Sequence, residues 1–374
     1  MIYLDNAATT FPKPPQVLRE VQKCLSSYCG NPGRGSHRLS NAAGEKIFEV
    51  REQASDFFGC KNSENVVFTL NDTYALNLAI KGFLHPGDHV IISNFEHNSV
   101  YRPIRAMADC GLIKFSIFDA LAPDTVGQVE KLIRKNTRAV IVNHTSNVCS
   151  LTLPVEKIGE LCRKHKMIFI LDAAQSAGHE EIHMEKMGID VLCAPAHKGL
   201  MGIQGCGLLV LREGLSLPET VIEGGSGVNS LEWQMPDQLP ERLEAGTLPT
   251  PAIAALGEGI KFVRSVGTDE IKKHLANLFV LSLDRLSSIN GVKIYAPKHQ
   301  GSTLLFTVSG IPSDTVAAHL DSCGICTRGG FHCCPSGHNV LGTPEDGAVR
   351  VSFGIFNRES DTDALYRAVK ELVF

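Results

Sequence analysis

The sequence predicts an α/β protein built on a mainly parallel sheet, and two patterns carry that expectation. From about residue 40 to 265, short apolar or β-branched runs alternate with longer amphipathic stretches, as repeated strand-helix-strand units require. Several of those runs end abruptly in polar residues able to do chemistry, and open parallel sheets bind ligands beyond the carboxyl ends of their strands. The clearest predicted strands are 66–69, 89–93, 139–143, 168–172, 191–194 and 208–211. Helical spacing is read over 41–58, 73–83, 125–135 and 154–165. Beyond Thr250 two long helical patterns precede the runs 292–295 and 303–308 and a closing helix over 361–372. These belong to a smaller α+β lobe that the N-terminal segment is expected to join. The expected division is a large lobe over 12–255 and a small one made of 1–11 and 256–374.

Composition limits the function classes. The chain has 374 residues, enough for two lobes, and 43% hydrophobic against 20% charged residues gives it ample apolar surface to bury. Net charge is -4 with no basic block, which argues against nucleic acid as a partner. No run of about 18 apolar residues and no leader-like N-terminus is visible, so no membrane partner and a cytoplasmic location are expected. The 12 cysteines are thinly spread and read as reduced thiols, except for the group Cys323, Cys326, Cys333 and Cys334.

The strand ends supply the candidate chemistry. Residues 168–171 run into Asp172-Ala-Ala-Gln175, which puts a carboxylate where apolar neighbours raise its pKa unless a cation pairs with it. The run 139–142 leads to Asn143 and Asn147, the run 90–92 leads to Glu96-His97-Asn98, and 191–194 leads to His197-Lys198-Gly199. Lys198 standing alone would read as a surface lysine. Together with Asp172, His97 and the Thr73 hydroxyl near a helix start, it matches the needs of a pyridoxal cofactor: a Schiff-base lysine, a carboxylate for the ring nitrogen, a stacking ring and phosphate donors.

The chain resembles the class V aminotransferase family, in particular its cysteine desulfurase and selenocysteine lyase branch. The resemblance is carried by Tyr3-Leu-Asp-Asn-Ala-Ala-Thr9, Arg34-Gly-Ser-His37, Glu96-His-Asn-Ser-Val100, Ser146-Asn147, Asp172-Ala-Ala-Gln175, Ala196-His-Lys198, Glu244-Ala-Gly-Thr247, Arg328-Gly-Gly-Phe-His-Cys333 and Arg350-Val-Ser-Phe, in the family's order. It implies fold type I of the pyridoxal-phosphate enzymes, with Lys198 bonded to pyridoxal 5'-phosphate, Asp172 on the ring nitrogen and His97 stacked on the ring. Gln175 and Asn147 would lie near the phenolic oxygen or the substrate, while Thr73 and His197 would bind phosphate. Thr247 would reach the phosphate from the partner subunit of a homodimer. Arg350 would take the substrate carboxylate through its planar fork, with Arg34 and Asn147 beside it. Two departures stand out: Pro195 replaces a hydroxyl donor the family carries, and Asp72 sets a carboxylate near the phosphate site unless it points away.

Cys333 matches the persulfide-forming cysteine of the short-loop desulfurases, and Arg328 and His332 stand close enough in sequence to lower a thiol pKa. Cys323 and Cys326 read as small apolar residues, Cys334 as a resolving thiol or a buried bystander, and His338 as a solvated loop residue. Adjacent cysteines seldom share one tetrahedral ion, so no metal is expected. The expected activity converts L-cysteine to L-alanine, with the sulfur held on Cys333 and passed to a sulfur-acceptor protein. The alternatives are a selenocysteine lyase acting on L-selenocysteine or another C–S β-lyase. A metal- or redox-active thiol protein is the rival from outside pyridoxal chemistry.

Overall fold

The computed structural model describes residues 1–33, 35–296 and 301–373. Its central sheet has seven strands in the order Val66–Thr69, Gly207–Leu211, Val191–Pro195, Ile168–Asp172, Thr137–Asn143, His89–Ser93, Lys114–Phe118. Only Gly207–Leu211 runs antiparallel to its neighbours, so the other six strands point their carboxyl ends to one edge. The near-continuous apolar runs follow from burial on both faces. Val140, Val142, Phe169, Leu171 and Leu192 pack on one side with Ile47, Val50 and Phe58 of the helix Arg38–Phe58. The alternate residues Ala139, Ile141, Ile168, Ile170 and Val191 pack on the other with Leu76, Ile80 and Phe83 of the helix Asp72–Phe83. Each such side chain taken out of water contributes about 1.5–3 kcal/mol, which holds the strand ends rigidly in register.

Sequence periodicity missed several elements here, among them the helix Pro15–Ser27 and the short helix Met184–Met187, and two of the misses have a plain physical reason. Lys114–Phe118 lies at the sheet edge and is only partly covered, so it lacks the apolar run that marks the interior strands. The helix Asn98–Asp109 contains Pro103, a residue that reads as a break. The helix expected over 125–135 ends at Lys131.

In the second lobe, Val349–Ser352, Thr303–Val308 and Val292–Ile294 form an antiparallel sheet, and Ile2–Tyr3 pairs in parallel with Ile325–Cys326. Leu4, Phe279, Phe306, Val351 and Leu365 share its core. The helix Thr250–Val266 joins the lobes: Ile253 and Leu256 belong to the large core and Val263 to the small one. The boundary expected at 255–256 falls inside it. Gly267, at φ +90°, turns the chain into the next helix, Thr268–Ser287, in a conformation that L side chains rarely adopt. No helix among the described residues is long and apolar enough to cross a membrane.

Candidate active site

The aligned carboxyl ends open into one cavity lined by Asp72, Thr73, His97, Asn147, Asp172 and Lys198 among others, with Gln175, Pro195 and His197 also on its wall. The side chains come from the carboxyl ends of five strands, Asp72 and Thr73 after Val66–Thr69, His97 after His89–Ser93, Asn147 after Thr137–Asn143, Asp172 and Gln175 at the end of Ile168–Asp172, and His197 and Lys198 after Val191–Pro195, so the sheet itself fixes their separation. Lys198 sits in the turn leaving Val191–Pro195, and the chain there presses so closely on its neighbour that a Cβ at Gly199 would meet Ala177 O at 2.3 Å. That contact accounts for a glycine directly after the lysine.

His97 caps the helix Asn98–Asp109: its Nδ1 accepts Ser99 N–H at 3.1 Å. Thr73 Oγ1 and Ser99 Oγ are 2.9 Å apart, and Ser99 Oγ lies 2.8 Å from the same His97 nitrogen. His97 therefore keeps its proton on Nε2 and is neutral, and burial together with the nearby Lys198 ammonium pushes its pKa down to about 4. Gln175 Nε2 donates to Ala7 O at 2.9 Å. The carbonyl of His197 is gripped by Lys13 Nζ at 2.7 Å and by Thr10 N–H at 3.1 Å, fixing the turn just before Lys198.

Two carboxyls and one amine share the floor of the cavity. Asp172 accepts Ala174 N–H at 2.8 Å, whereas Asp72 Oδ1 is buried without a partner. Burial raises both carboxyl pKa values, and the proximity of Asp172 raises that of Asp72 further. Lys198 is shifted down, chiefly by burial, with Asp72 and Asp172 opposing. The Ala174 N–H opposes the rise at Asp172, whereas Asp72 has no such donor and is the more strongly raised of the two. The side chain does not point away from the cavity, and its raised pKa disfavours the like charge it would bring against an anion there.

A carboxyl with a raised folded-state pKa binds its proton more tightly folded than unfolded, so the folded state loses ground as pH rises above the ordinary carboxyl value. Asp72→Asn removes that loss. We expect the cofactor-free Asp72→Asn protein to melt higher than the parent at neutral pH, with the gap closing as pH falls through the carboxyl range. Parallel melting curves at every pH would show Asp72 to be ionised.

Arg350 comes from the strand Val349–Ser352 and is almost wholly buried. Its Nη2 is given to Asp5 at 2.6 Å and its Nη1 to Asn147 O at 3.2 Å, while Nε has no partner. A bidentate grip on a carboxylate therefore requires Asp5 to yield one edge of the fork.

The segment with Cys333 is fastened to the same site. Asn147 Nδ2 donates to His332 O at 2.6 Å, and Asn98 N–H donates to Cys333 O at 2.8 Å. His332 and Cys333 have φ of 52° and 57°, left-handed values that cost non-glycine residues roughly 1–2 kcal/mol each. Cys333 is partly accessible, whereas Cys334 is buried against Phe95 O, with burial pushing its thiol up to about 12. Cys323 stands apart at the end of the helix Ser313–Ser322, 3.7 Å from His319 Nε2.

Two expectations are corrected here. His338 is buried at 1% exposure, not solvated, and His332 is buried and neutral, its pKa pushed down to about 3, so it supplies no positive charge beside Cys333. Arg34 lies outside the described residues. Thr247 is exposed and lines a different cavity, with Arg51 and Glu244. Residues given no role from sequence are Ser99, Asp5 and Lys13; Ser99 and Asp5 had a signal, their places in the Glu96–Val100 and N-terminal motifs, and Lys13 had none.

Five buried polar atoms near the site, Asp72 Oδ1, Asn143 Oδ1, Asn147 Oδ1, His197 Nδ1 and Arg350 Nε, have no protein partner. Buried polar atoms are rarely left in that state, and their concentration here fits a polar cofactor and substrate. A lysine, a carboxylate and an imidazole on separate strand ends of a mainly parallel sheet suit an enzyme site of the imine-forming kind.

The chain belongs to the aminotransferase class-V family, which matches residues 2–365. It is 31% identical to a probable cysteine desulfurase of Halalkalibacterium halodurans, covering 99% of this chain and 93% of that protein. It is 32% identical to another of Pyrococcus abyssi, covering 100% and 94%. An apo cysteine desulfurase structure from Thermococcus onnurineus NA1 superposes with a TM-score of 0.91 at 31% identity, covering 100% of this chain and 94% of that one. The cysteine desulfurase CsdA of Escherichia coli, in an S-sulfonic acid form, gives 0.89 at 25% identity, covering 100% and 95%. The fold is that of the type I pyridoxal-phosphate enzymes.

Proposed function

We propose that this protein is a pyridoxal 5'-phosphate-dependent cysteine desulfurase that converts L-cysteine to L-alanine and holds the sulfur as a persulfide on Cys333. The observation that carries the reading is the attachment of the Cys333 segment, through Asn147 and Asn98, to the cavity containing Lys198 and Asp172. Lys198 would bond the cofactor, Asp172 would face its ring nitrogen, His97 its ring, and Thr73 with His197 its phosphate. Once bound, the cofactor supplies a sink for the electron pair left at the substrate Cα.

This chain's own residues do the rest. Arg350 orients the substrate carboxylate with Nε and whatever edge Asp5 releases. Lys198 would take the Cα proton, a role that the lowering of its pKa by burial favours. The Cys333 thiolate would attack the substrate sulfur while the S–Cβ electron pair goes to carbon; one proton at Cβ and return of the Cα proton from Lys198 would complete alanine, and the persulfide would await an acceptor protein or thiol. A selenocysteine lyase would have less use for a cysteine tied into the site in this way. Alanine release from L-cysteine and from L-selenocysteine, with and without thiol reductant, tests the assignment; release from selenocysteine alone would overturn it.

The functional unit in this reading is a homodimer, with Thr247 completing the phosphate site of the partner. Leu231 and Trp233 are 97% and 98% exposed in the segment leading to Thr247, as residues awaiting a second copy would be. Neither Lys198→Ala nor Thr247→Ala homodimers should work well. Mixed dimers concentrate both defects in one site and leave the other intact, so refolded mixtures should regain activity. A fully active monomer, or no rescue on mixing, would exclude shared sites.

A further inference from the structure

Cys333 lies between two histidines joined in a directional chain. His332 Nε2 is 3.0 Å from Arg328 O, and because a carbonyl can only accept, that nitrogen carries the proton. In a neutral ring His332 Nδ1 is then bare, and it lies 3.1 Å from His338 Nε2, which must donate. His338 Nδ1 is in turn bare and accepts the Thr343 hydroxyl at 2.9 Å. The two rings stack at 5.2 Å and 20°, and Phe331 meets His338 edge-on at 5.3 Å. Both are buried, at 3% and 1% exposure. The charged groups acting on the pair are Arg350 on both rings and Arg328 on His332; these cations, and burial above all, keep the imidazoles neutral.

We propose that His338 is the positioning residue for Cys333: through its Nε2–H bond to His332 it fixes the left-handed turn at His332 and Cys333, and so the place of the thiol beside the Lys198 cavity. The proposal rests on the reading of Cys333 as nucleophile. The left-handed pair needs this kind of over-determination, since a strained backbone persists only where its surroundings hold it. Two ties hold the carbonyls of His332 and Cys333, and the imidazole chain holds the His332 side chain against the opposite end of the turn, at Arg328. Thr343 is the remote anchor, because without its hydroxyl His338 is free to place its proton on Nδ1 and lose the bond to His332.

The test uses the cofactor-loaded protein with His338→Met, which removes the donor, His338→Gln, whose side-chain N–H stands where Nε2–H stood, and Thr343→Val. Amide hydrogen exchange over residues 328–343 and the rate of iodoacetamide alkylation at Cys333 are read by mass spectrometry, beside kcat and KM. For His338→Met we expect exchange in that segment to rise about tenfold or more, and kcat to fall with KM little changed, because Arg350 still holds the substrate. His338→Gln should stay within about threefold of the parent, and Thr343→Val should fall between. If His338→Met fails to fold, the ordering parent, Gln, Val still decides. Unchanged exchange and alkylation in His338→Met, or a Gln variant as impaired as Met, overturns the positioning. Full desulfuration by Cys333→Ser overturns instead the nucleophile reading, and with it the purpose of the positioning.

Discussion

Lys198→Ala is expected to fold normally and to release no measurable alanine from L-cysteine, a fall on the order of 10⁴ or more, since it removes both the covalent hold on the cofactor and the base for the Cα proton. The fold should survive because, among the described residues, the Lys198 side chain is seen to donate no hydrogen bond to the scaffold; the charges acting on it most are the two carboxyls. Removing the amine does change the proton count of the cavity. With the lowering influence of the Lys198 amine gone, burial and Asp172 raise the Asp72 pKa further. The parent, reduced with borohydride, should carry the cofactor's mass on the peptide containing Lys198, and the variant should carry none. A Lys198→Ala protein that still turned over cysteine, or an adduct on another lysine, would sink the cofactor assignment.

How far the site was legible depends on whether its determinants are local. The strands Thr137–Asn143, Ile168–Asp172 and Val191–Pro195 announce themselves because burial on both faces forces continuous apolar runs, and the polar residue ending each run is then placed by topology alone. Lys198, Asp172, His97 and Asn147 reach one cavity for that reason. Lys114–Phe118 was not legible, because an edge strand with partly covered faces has neither a clean alternation nor an unbroken apolar run. Arg350 illustrates a different limit. Its identity as a candidate rests on a motif, but the Asp5 carboxylate that occupies one edge of its fork lies 345 residues away, and no local pattern reveals that pairing. His338 is the sharpest case: an isolated histidine near a turn reads as solvated, and only the fold brings it against His332, where burial and the Arg350 guanidinium keep it neutral.

Cys333→Ser separates the sulfur-accepting role from the cofactor chemistry. The hydroxyl is nearly isosteric, so the left-handed turn and its ties to Asn98 and Asn147 should persist, and cofactor content should match the parent. A serine hydroxyl is a far poorer nucleophile toward sulfur than a thiolate, and loss of a nucleophile typically costs a factor on the order of 10³ to 10⁶, so alanine release from L-cysteine should fall into that range. Cys334→Ser should be much milder in this respect, since Cys334 is buried, its thiol is pushed up to about 12, and it is engaged with Phe95 O rather than with the cavity. After a single turnover with labelled cysteine, the persulfide should map to Cys333 in the parent and vanish in Cys333→Ser. Selenocysteine, with its weaker bond to carbon, depends less on the enzyme thiol, so residual activity on that substrate is compatible with the assignment. Label on Cys334 or Cys326, or undiminished desulfuration of cysteine by Cys333→Ser, would reassign the nucleophile while leaving Lys198 and Asp172 in their roles.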